Sequence, residues 1–276
     1  MIHGIRVEDG KALWYKNKFV TSPFGFGPNT HVLKHGKKIY ALVEGGVSPV
    51  IMDSEMNFLE EEPFPAADNK RFTAHPKIDS DTGEMHAVSY DFGEYVNGLG
   101  QVHYVTIDSN GKLIKDQIIE TPSRPMVHDC AITKNYVLIF DLPVTFNLGR
   151  RDDDNNPIGG DYPVIWNDKH TSRVGLQNKK TDEIIWIEVN PGFLFHIVNS
   201  YEDDNGQVIL DFCRYERLFD FDNPLPMGQK PFLTRWILDP KTKTCSEEML
   251  DDRPMEFSRV HPDFDGKQHR FGYLLN

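Results

Sequence analysis

Residues 124–144 read RPMVHDCAITKNYVLIFDLPV and join two polar side chains to a strand-like run. The second half, YVLIFDLPV, is apolar and β-branched, which is typical of a buried strand. His128 and Asp129 stand just ahead of it. A single histidine in such a place is usually a core residue with a hydrogen-bond partner, so its meaning depends on whether the pattern recurs.

Strand-like runs of this kind recur along the whole chain and alternate with turn clusters. The other runs lie at 38–44, 85–92, 101–108, 183–189, 207–215 and 232–239. The turn clusters are rich in Asp, Asn, Gly and Lys and lie at 7–11, 79–84, 108–112, 202–207 and 239–243. No segment shows a helical period with caps. The pattern predicts an all-β fold, and its persistence favours a propeller over a sandwich or barrel.

One segment, residues 146–173, breaks this rhythm because it is rich in Gly, Pro, Asp and Asn. It predicts a long surface loop inserted into a single domain that spans residues 1–276. A solvated insertion is one interpretation of this loop. The alternative is a lid or a membrane-facing rim, since long ordered loops often carry function.

Composition excludes several classes of protein. The 276 residues carry a formal net charge of −12, which argues against a general nucleic-acid surface. The three cysteines are far apart and form neither a disulfide framework nor a thiolate zinc site. There is no signal peptide and no run of ~18 apolar residues, so no transmembrane segment is predicted. These features together predict a cytoplasmic protein.

Two further histidines share the context of His128. His75 lies in RFTAHPKID and His196 in PGFLFHIVNSYED, each at the edge of a hydrophobic or strand segment. The three are too widely separated for a local HExxH-type motif, but they suit one ligand from each of several propeller blades. Imidazole nitrogen binds Fe, Zn and Cu, so the set is a candidate metal site. Three other histidines have charged, loop-like neighbours and are predicted to be structural or surface residues: His35, His170 and His269.

Four stretches carry a resemblance to the carotenoid cleavage oxygenase family. They are RFTAHPKIDSDTGEM (71–85), MVHDCAITKNYVLIFDLPV (126–144), FHIVNSYED (195–203) and MEFSRV (255–260). Residues 1–20, 40–53 and 163–175 support it. The family includes carotenoid and apocarotenoid dioxygenases, lignostilbene dioxygenases and a retinoid isomerohydrolase. The resemblance runs from end to end of the chain.

The resemblance implies a seven-bladed β-propeller with a non-haem Fe(II) on its axis, held by four histidines. His75, His128 and His196 match the first three of these. It also implies glutamates that accept the distal ring N–H of the ligands, and Glu44 and Glu256 match two such positions. The fourth histidine and a third glutamate belong to motifs beyond the last residues of this chain. The sequence therefore resembles an internal piece of a longer protein, with an incomplete propeller.

The resemblance also bears on the substrate. In the lignostilbene branch a lysine precedes the glutamate equivalent to Glu44, whereas this chain has Val43 there. An apolar residue suits a polyene better than a phenolate, which favours a carotenoid or apocarotenoid. Aromatic residues near the motifs are candidates to line a substrate tunnel, although core packing is the alternative role for each. They are Phe72, Phe193, Phe195 and Trp166.

By resemblance the expected activity is an Fe(II)-dependent dioxygenation of a conjugated C=C bond, which yields two carbonyl products. The partners would be O₂ and a lipophilic polyene, with peripheral contact to a membrane surface and no nucleic acid. Three alternatives remain open. They are a lignostilbene-type dioxygenase, a non-catalytic, metal-poor propeller fragment, and a carboxylate-based hydrolase that uses a pair such as Asp129 and Glu202.

Overall fold

The computed structural model of the chain describes residues 1–20, 27–44, 48–61, 72–90, 100–146, 163–220 and 228–276. Within these ranges the regular structure is β-strand, apart from a single 3₁₀ turn at Pro262–Phe264. This confirms the all-β fold class. Among the described residues there is no helix with the length and hydrophobicity that a membrane span requires.

The chain opens with an antiparallel hairpin of β1 (Ile2–Glu8) and β2 (Lys11–Lys18). The predicted turn between them places Asp9 and Gly10 at positive φ, 48° and 72°. Glycine adopts this conformation without strain and aspartate tolerates it, which explains why an Asp-Gly pair closes the hairpin.

Four antiparallel sheets of four strands each follow in chain order among the described residues. The first contains β3 (His31–His35), β4 (Lys38–Leu42), β5 (Val50–Met52) and β6 (Phe58–Glu61). The second contains β7 (Lys77–Ile78), β8 (Met85–Tyr90), β9 (Gly100–Ile107) and β10 (Leu113–Thr121). Each strand pairs with its sequence neighbour, as the alternation of strands and Asx-rich turns predicts.

The third sheet is interrupted in the chain by an inserted segment between its second and third strands. It contains β11 (Ala131–Ile132), β12 (Tyr136–Asp141), β15 (Arg173–Asn178) and β16 (Ile184–Glu188). This inserted segment contains a separate two-stranded sheet of β13 (Val144–Phe146) and β14 (Val164–Trp166). The fourth sheet contains β17 (Phe193–Glu202), β18 (Val208–Tyr215), β19 (Phe232–Asp239) and β20 (Thr244–Pro254). A last pair, β21 (Glu256–Arg259) and β22 (Tyr273–Leu275), follows it.

Burial along the strands shows how the sheets are stacked. Every residue of β8 is buried, whereas side chains of the outer strand β10 alternate between partly buried and exposed over most of its length. The largest core cluster joins residues of the second, third and fourth sheets, among them Tyr104, Phe140 and Trp236. A second cluster joins the first and second sheets through Tyr40 and Val105. The cores therefore lie between neighbouring sheets, as in sheets packed face to face.

Two local predictions need correction. The strand predicted over 136–144 ends at Asp141, and β13 begins only at Val144; Pro143, which has no N–H for a ladder, lies between them. The loop predicted over 146–173 is not loop throughout, because β14 pairs with β13 and buries Trp166 to 7% exposure. Residues 147–162 of that segment lie outside the described residues, so the alternatives of insertion and lid stay predictions.

Candidate metal centre

Each of the three predicted histidines lies at the first strand of a different sheet. His75 precedes β7 by two residues, His128 precedes β11 by three, and His196 lies inside β17. These first strands are edge strands of the second, third and fourth sheets, and β11 also contacts β17. Three separate sheets therefore bring their inner edges to one place, which explains the wide spacing of the histidines in the sequence.

The strand that carries His196 is irregular at that point. The pairing of β17 with β18 shifts register between Leu194 and Ile197, and again between Ile197 and Asn199. Bulges of this kind bend a strand and re-aim the side chains beside it, and they are frequent next to functional sites. The irregularity accounts for a half-buried histidine on a strand whose neighbours are core residues.

The three histidine rings form a compact cluster. One nitrogen from each of His75, His128 and His196 lies within 4.8 Å of the corresponding nitrogens of the other two. The ring centroids are 4.7 Å apart for His75 and His128, 5.3 Å for His75 and His196, and 5.2 Å for His128 and His196. The structure thus brings together the residues that the sequence pattern singled out.

Two of these rings each have a glutamate carboxylate beside Nδ1. Nδ1 of His128 lies 2.6 Å from Oε2 of Glu44, and Nδ1 of His196 lies 2.6 Å from Oε2 of Glu256. Glu44 follows β4 of the first sheet, and Glu256 begins β21. Nδ1 of His196 is hydrogen-bonded to Glu256, and Nδ1 of His128 lies in ion-pair contact with Glu44, so Nε2 is the nitrogen of each ring that remains available to a ligand.

The third ring is isolated from hydrogen-bonding groups. Neither Nδ1 nor Nε2 of His75 has a hydrogen-bond partner, and the residue is 4% exposed. Burial lowers the pKa of His75 to about 3, against the opposing charge of Asp129, so the ring is neutral at physiological pH. A buried, unpartnered imidazole is costly unless something else bonds to it.

The electrostatics of His128 are different. Burial disfavours its charged form, but the hydrogen-bonding and charge of the Glu44 carboxylate outweigh burial and leave the pKa of His128 above its ordinary value. Metal binding requires the neutral imidazole, so a metal ion at this cluster competes with a proton on His128.

Asp129 caps the backbone beside the cluster, because its Oδ1 accepts the N–H of Cys130 at 2.7 Å. It also makes an ion pair that the sequence did not suggest, since Nζ of Lys77 lies 2.9 Å from Oδ1. Mutual attraction outweighs the burial of both groups, raising the pKa of Lys77 and lowering that of Asp129. Both residues are sequence neighbours of cluster histidines, since Lys77 is two residues after His75 and Asp129 is one after His128.

The structure does not pair the two carboxylates that the hydrolase alternative requires, Asp129 and Glu202. Asp129 is fully engaged by Lys77, Cys130 and Ile197, whose N–H lies 3.3 Å from Oδ2. Glu202 accepts hydrogen bonds from Thr133 and Asn135 and lines a surface pocket whose lining does not include Asp129. Each carboxylate has a structural partner set of its own, and the cluster between the sheets consists of imidazoles.

The predicted tunnel residues lie mostly in the core. Phe72, Phe193 and Trp166 are at most 7% exposed and belong to hydrophobic clusters, while Val43 is half-buried. Of the predicted aromatic residues, Phe195 contacts the cluster, with its ring T-shaped to that of His128 at 5.0 Å, and Phe257, which the sequence did not single out, lies 5.3 Å from His196. A tunnel role for these residues remains a prediction.

Three other histidines have ordinary structural partners. Nε2 of His35 lies 2.7 Å from the carbonyl of Asp108, and Nε2 of His170 lies 2.8 Å from Oδ1 of Asp141. Both side chains are buried, so their charged sequence neighbours were a poor guide to exposure. His31 lies beside His75, with ring centroids 6.4 Å apart, but its Nδ1 bonds to the carbonyl of Ala74.

Fold and cluster together define a class of protein: an all-β chain of successive four-stranded sheets whose inner edges present three histidines, two of them backed by glutamates. The family model of the retinal pigment epithelial membrane protein matches residues 26–276, and the chain belongs to this family, whose curated relatives include carotenoid cleavage oxygenases.

Individual relatives agree with this assignment. The chain is 32% identical over 334 aligned positions to a carotenoid cleavage oxygenase of Mycobacterium tuberculosis, covering 100% of this chain and 66% of the relative. It superposes on a lignostilbene dioxygenase of Pseudomonas brassicacearum with a TM-score of 0.77 and 27% identity, covering 92% of this chain and 54% of that one.

A cobalt-substituted apocarotenoid oxygenase of Synechocystis gives a TM-score of 0.74 and 25% identity, covering 90% of this chain and 53% of that chain. The chain therefore spans about two thirds of the mycobacterial relative and about half of the two solved chains. The fold is that of an incomplete carotenoid oxygenase propeller.

Proposed function

We propose that the protein is a non-haem Fe(II) dioxygenase that cleaves a conjugated C=C bond of a carotenoid or apocarotenoid into two carbonyl products. The single observation that carries the proposal is the convergence of His75, His128 and His196 from three sheets. We take these sheets as consecutive blades of one partial propeller domain. The activity is proposed for the whole protein, because this chain spans 66% of the mycobacterial oxygenase.

The residues of the cluster fit a borderline divalent metal. The donors are three imidazoles, which suit iron, and the unpartnered nitrogens of His75 are orphaned buried polar atoms that a metal would satisfy. The pKa of about 3 keeps His75 in the neutral form that a metal requires. The Synechocystis oxygenase of the same fold has a cobalt-substituted form, which supports a metal in relatives of this chain.

Some of these side chains would bind the metal, and others would orient the metal-binding rings. His75, His128 and His196 would hold the metal. Glu44 and Glu256 would fix the tautomer and direction of the rings of His128 and His196, since each carboxylate lies 2.6 Å from a ring Nδ1. The bound metal, together with O₂, supplies the oxidative chemistry.

The apolar surroundings suit a lipophilic substrate. Phe195 places its ring edge against His128, and Phe193 and Phe219 pack against Phe195 at 5.1 Å and 6.2 Å between centroids. The buried Phe193 and Phe219 support Phe195, and the partly buried ring of Phe195 offers a polyene an apolar contact beside the cluster. Such a polyene partitions into lipid, so we propose peripheral contact with a membrane surface.

Val43 favours a carotenoid over a phenolic stilbene, because it offers no charge to a phenolate. The lignostilbene dioxygenase among the structural relatives keeps the stilbene as a second candidate substrate. The two substrates are separated by parallel assays with an apocarotenal and a hydroxystilbene, with the carbonyl products identified by mass spectrometry.

Metal analysis tests the proposal directly. The chain is purified anaerobically, loaded with Fe(II) and assayed for bound iron and for cleavage of the apocarotenal. Stoichiometric iron that is lost in His128→Ala and retained in His103→Ala supports the proposal, since His103 is also buried but lies outside the cluster. A folded chain that binds no iron and cleaves neither substrate would support the non-catalytic alternative instead.

A further inference from the structure

The proposed function leaves the ion pair between Asp129 and Lys77 unexplained. The Asp129 side chain is 0% exposed and that of Lys77 is 10% exposed. Taking two charges out of water is expensive, and replacing such a pair with apolar residues of similar size is often neutral or stabilising. Stability alone is therefore a weak reason for a charged pair at this place.

The contacts of Asp129 distinguish it from an ordinary buried carboxylate. Its Oδ1 meets Nζ of Lys77 and accepts the N–H of Cys130, and its Oδ2 faces the N–H of Ile197 at 3.3 Å. Lys77 is two residues from His75, Asp129 is next to His128, and Ile197 is next to His196. One carboxylate thus bonds to the chain beside all three histidines.

This arrangement complements that of the two glutamates. Glu44 and Glu256 each contact one imidazole ring and set the direction of that ring. Asp129 instead ties together the three backbone segments, which belong to three different sheets. The edge strands concerned are short or irregular, because β7 and β11 have two residues each and β17 is bulged at His196. Backbone pairing alone therefore gives these segments little support.

We propose that Asp129 and Lys77 form a positioning pair that fixes the distances between the three histidines before a metal binds. This inference rests on the proposed function, because it concerns the same metal site. The pair touches the chain around the histidines, and its effect on the metal would be exerted through their placement. Preorganisation of this kind strengthens binding because less ordering is needed on association.

The test is a titration with Co²⁺, whose visible absorption reports both affinity and coordination geometry, on the chain and on three variants. Asp129→Asn keeps the shape of the side chain but removes its charge. The double variant Lys77→Met with Asp129→Leu replaces the pair with apolar groups. Asp141→Asn is the matched control, since Asp141 is equally buried and paired with Arg173 but lies outside the cluster.

We expect Asp129→Asn to bind Co²⁺ at least about tenfold more weakly and to alter its absorption bands, as loss of an outer partner does at other metal sites. The apolar double variant should recover stability in urea but not Co²⁺ affinity, a split that a merely structural pair would not produce. The control should lose stability and keep its affinity. If Asp129→Asn does not fold, the double variant carries the same comparison.

Two outcomes are decisive against the inference. Equal Co²⁺ affinity and equal spectra for the chain and the folded pair variants would overturn it while leaving the proposed function intact. A chain that binds no Co²⁺ at all would overturn the proposed function, and this inference with it.

Discussion

The hydroxyl of Tyr90 donates a 2.6 Å hydrogen bond to Oε1 of Glu44. The other carboxylate oxygen, Oε2, lies 2.6 Å from Nδ1 of His128, so the glutamate is held on both sides. Tyr90 ends β8 of the second sheet, whereas Glu44 follows β4 of the first sheet and His128 precedes β11 of the third. The orientation of the His128 ring therefore depends on how three sheets are placed relative to one another.

Removal of this hydroxyl should loosen the glutamate without removing it. We expect Tyr90→Phe to cost about 1 kcal/mol of unfolding free energy, because a buried carboxylate oxygen loses its donor. Co²⁺ affinity should fall by a smaller factor than in a variant of Glu44 itself. Urea unfolding and a Co²⁺ titration measure the two effects, and an affinity equal to that of the unchanged chain would contradict the role assigned to Tyr90.

Glu44 itself should matter more for metal affinity than for stability. Glu44→Gln replaces an acceptor with an amide that cannot supply the same charge to His128, so we expect metal affinity to fall by about 10–100-fold. Glu202→Gln is the matched control, because Glu202 also accepts several hydrogen bonds but contacts Thr133 and Asn135 instead. The control should lose stability and keep its affinity; an equal loss of affinity in both would show that the effect is not local.

Substitution of Asp141 should affect the stability of the fold and not the metal site. Its side chain is 0% exposed, its Oδ2 accepts from Nε of Arg173 at 2.7 Å, and its Oδ1 faces His170 at 2.8 Å. Removing one partner of a buried pair leaves the other charge uncompensated, so Asp141→Asn should cost about 3 kcal/mol or more.

The ion pair of Arg6 and Glu8, whose side chains are 58% and 50% exposed, provides the comparison for Asp141. Glu8→Gln should leave the urea midpoint unchanged, because water replaces a lost partner at the surface. If the two variants shifted the midpoint equally, burial would not be the reason for the effect at Asp141.

Much of the fold was predictable because its signals are local. Hydrophobic alternation and Asx-rich turns mark the strands, and a hairpin such as that closed at Asp9 and Gly10 needs no distant information. His75, His128 and His196 could be grouped from their shared context, although their convergence depends on the packing of three sheets.

Other contacts escaped prediction because they join distant residues. The ion pair of Lys77 with Asp129 links segments about fifty positions apart in the sequence. Neither residue type indicates burial, since lysine and aspartate are usually exposed. The partner of His170 was not predictable for the same reason, since its charged neighbours in sequence say nothing of Asp141, its partner in space. Local pattern predicts elements, while buried polar pairs depend on topology.

Acid should destabilise the metal-free protein through His86, a buried histidine outside the cluster. His86 is 1% exposed, and its Nδ1 lies 3.0 Å from the hydroxyl of Tyr104. Burial, aided by the charge of Lys179, lowers the pKa of His86 to about 3 from the ordinary 6.5. The unfolded chain therefore binds a proton that the folded protein does not, between these two values.

The contribution of His86 to stability is consequently full above pH 6.5 and is lost as the pH falls toward about 3. One such group steepens the pH dependence of the unfolding free energy by up to about 1.4 kcal/mol per pH unit. His86→Gln, which does not titrate, should shift stability by a constant amount above pH 7 and show a shallower decline below pH 6. Urea unfolding at several pH values in the presence of a chelator measures the slopes, and parallel curves over the acid range would show that His86 is protonated in the folded protein.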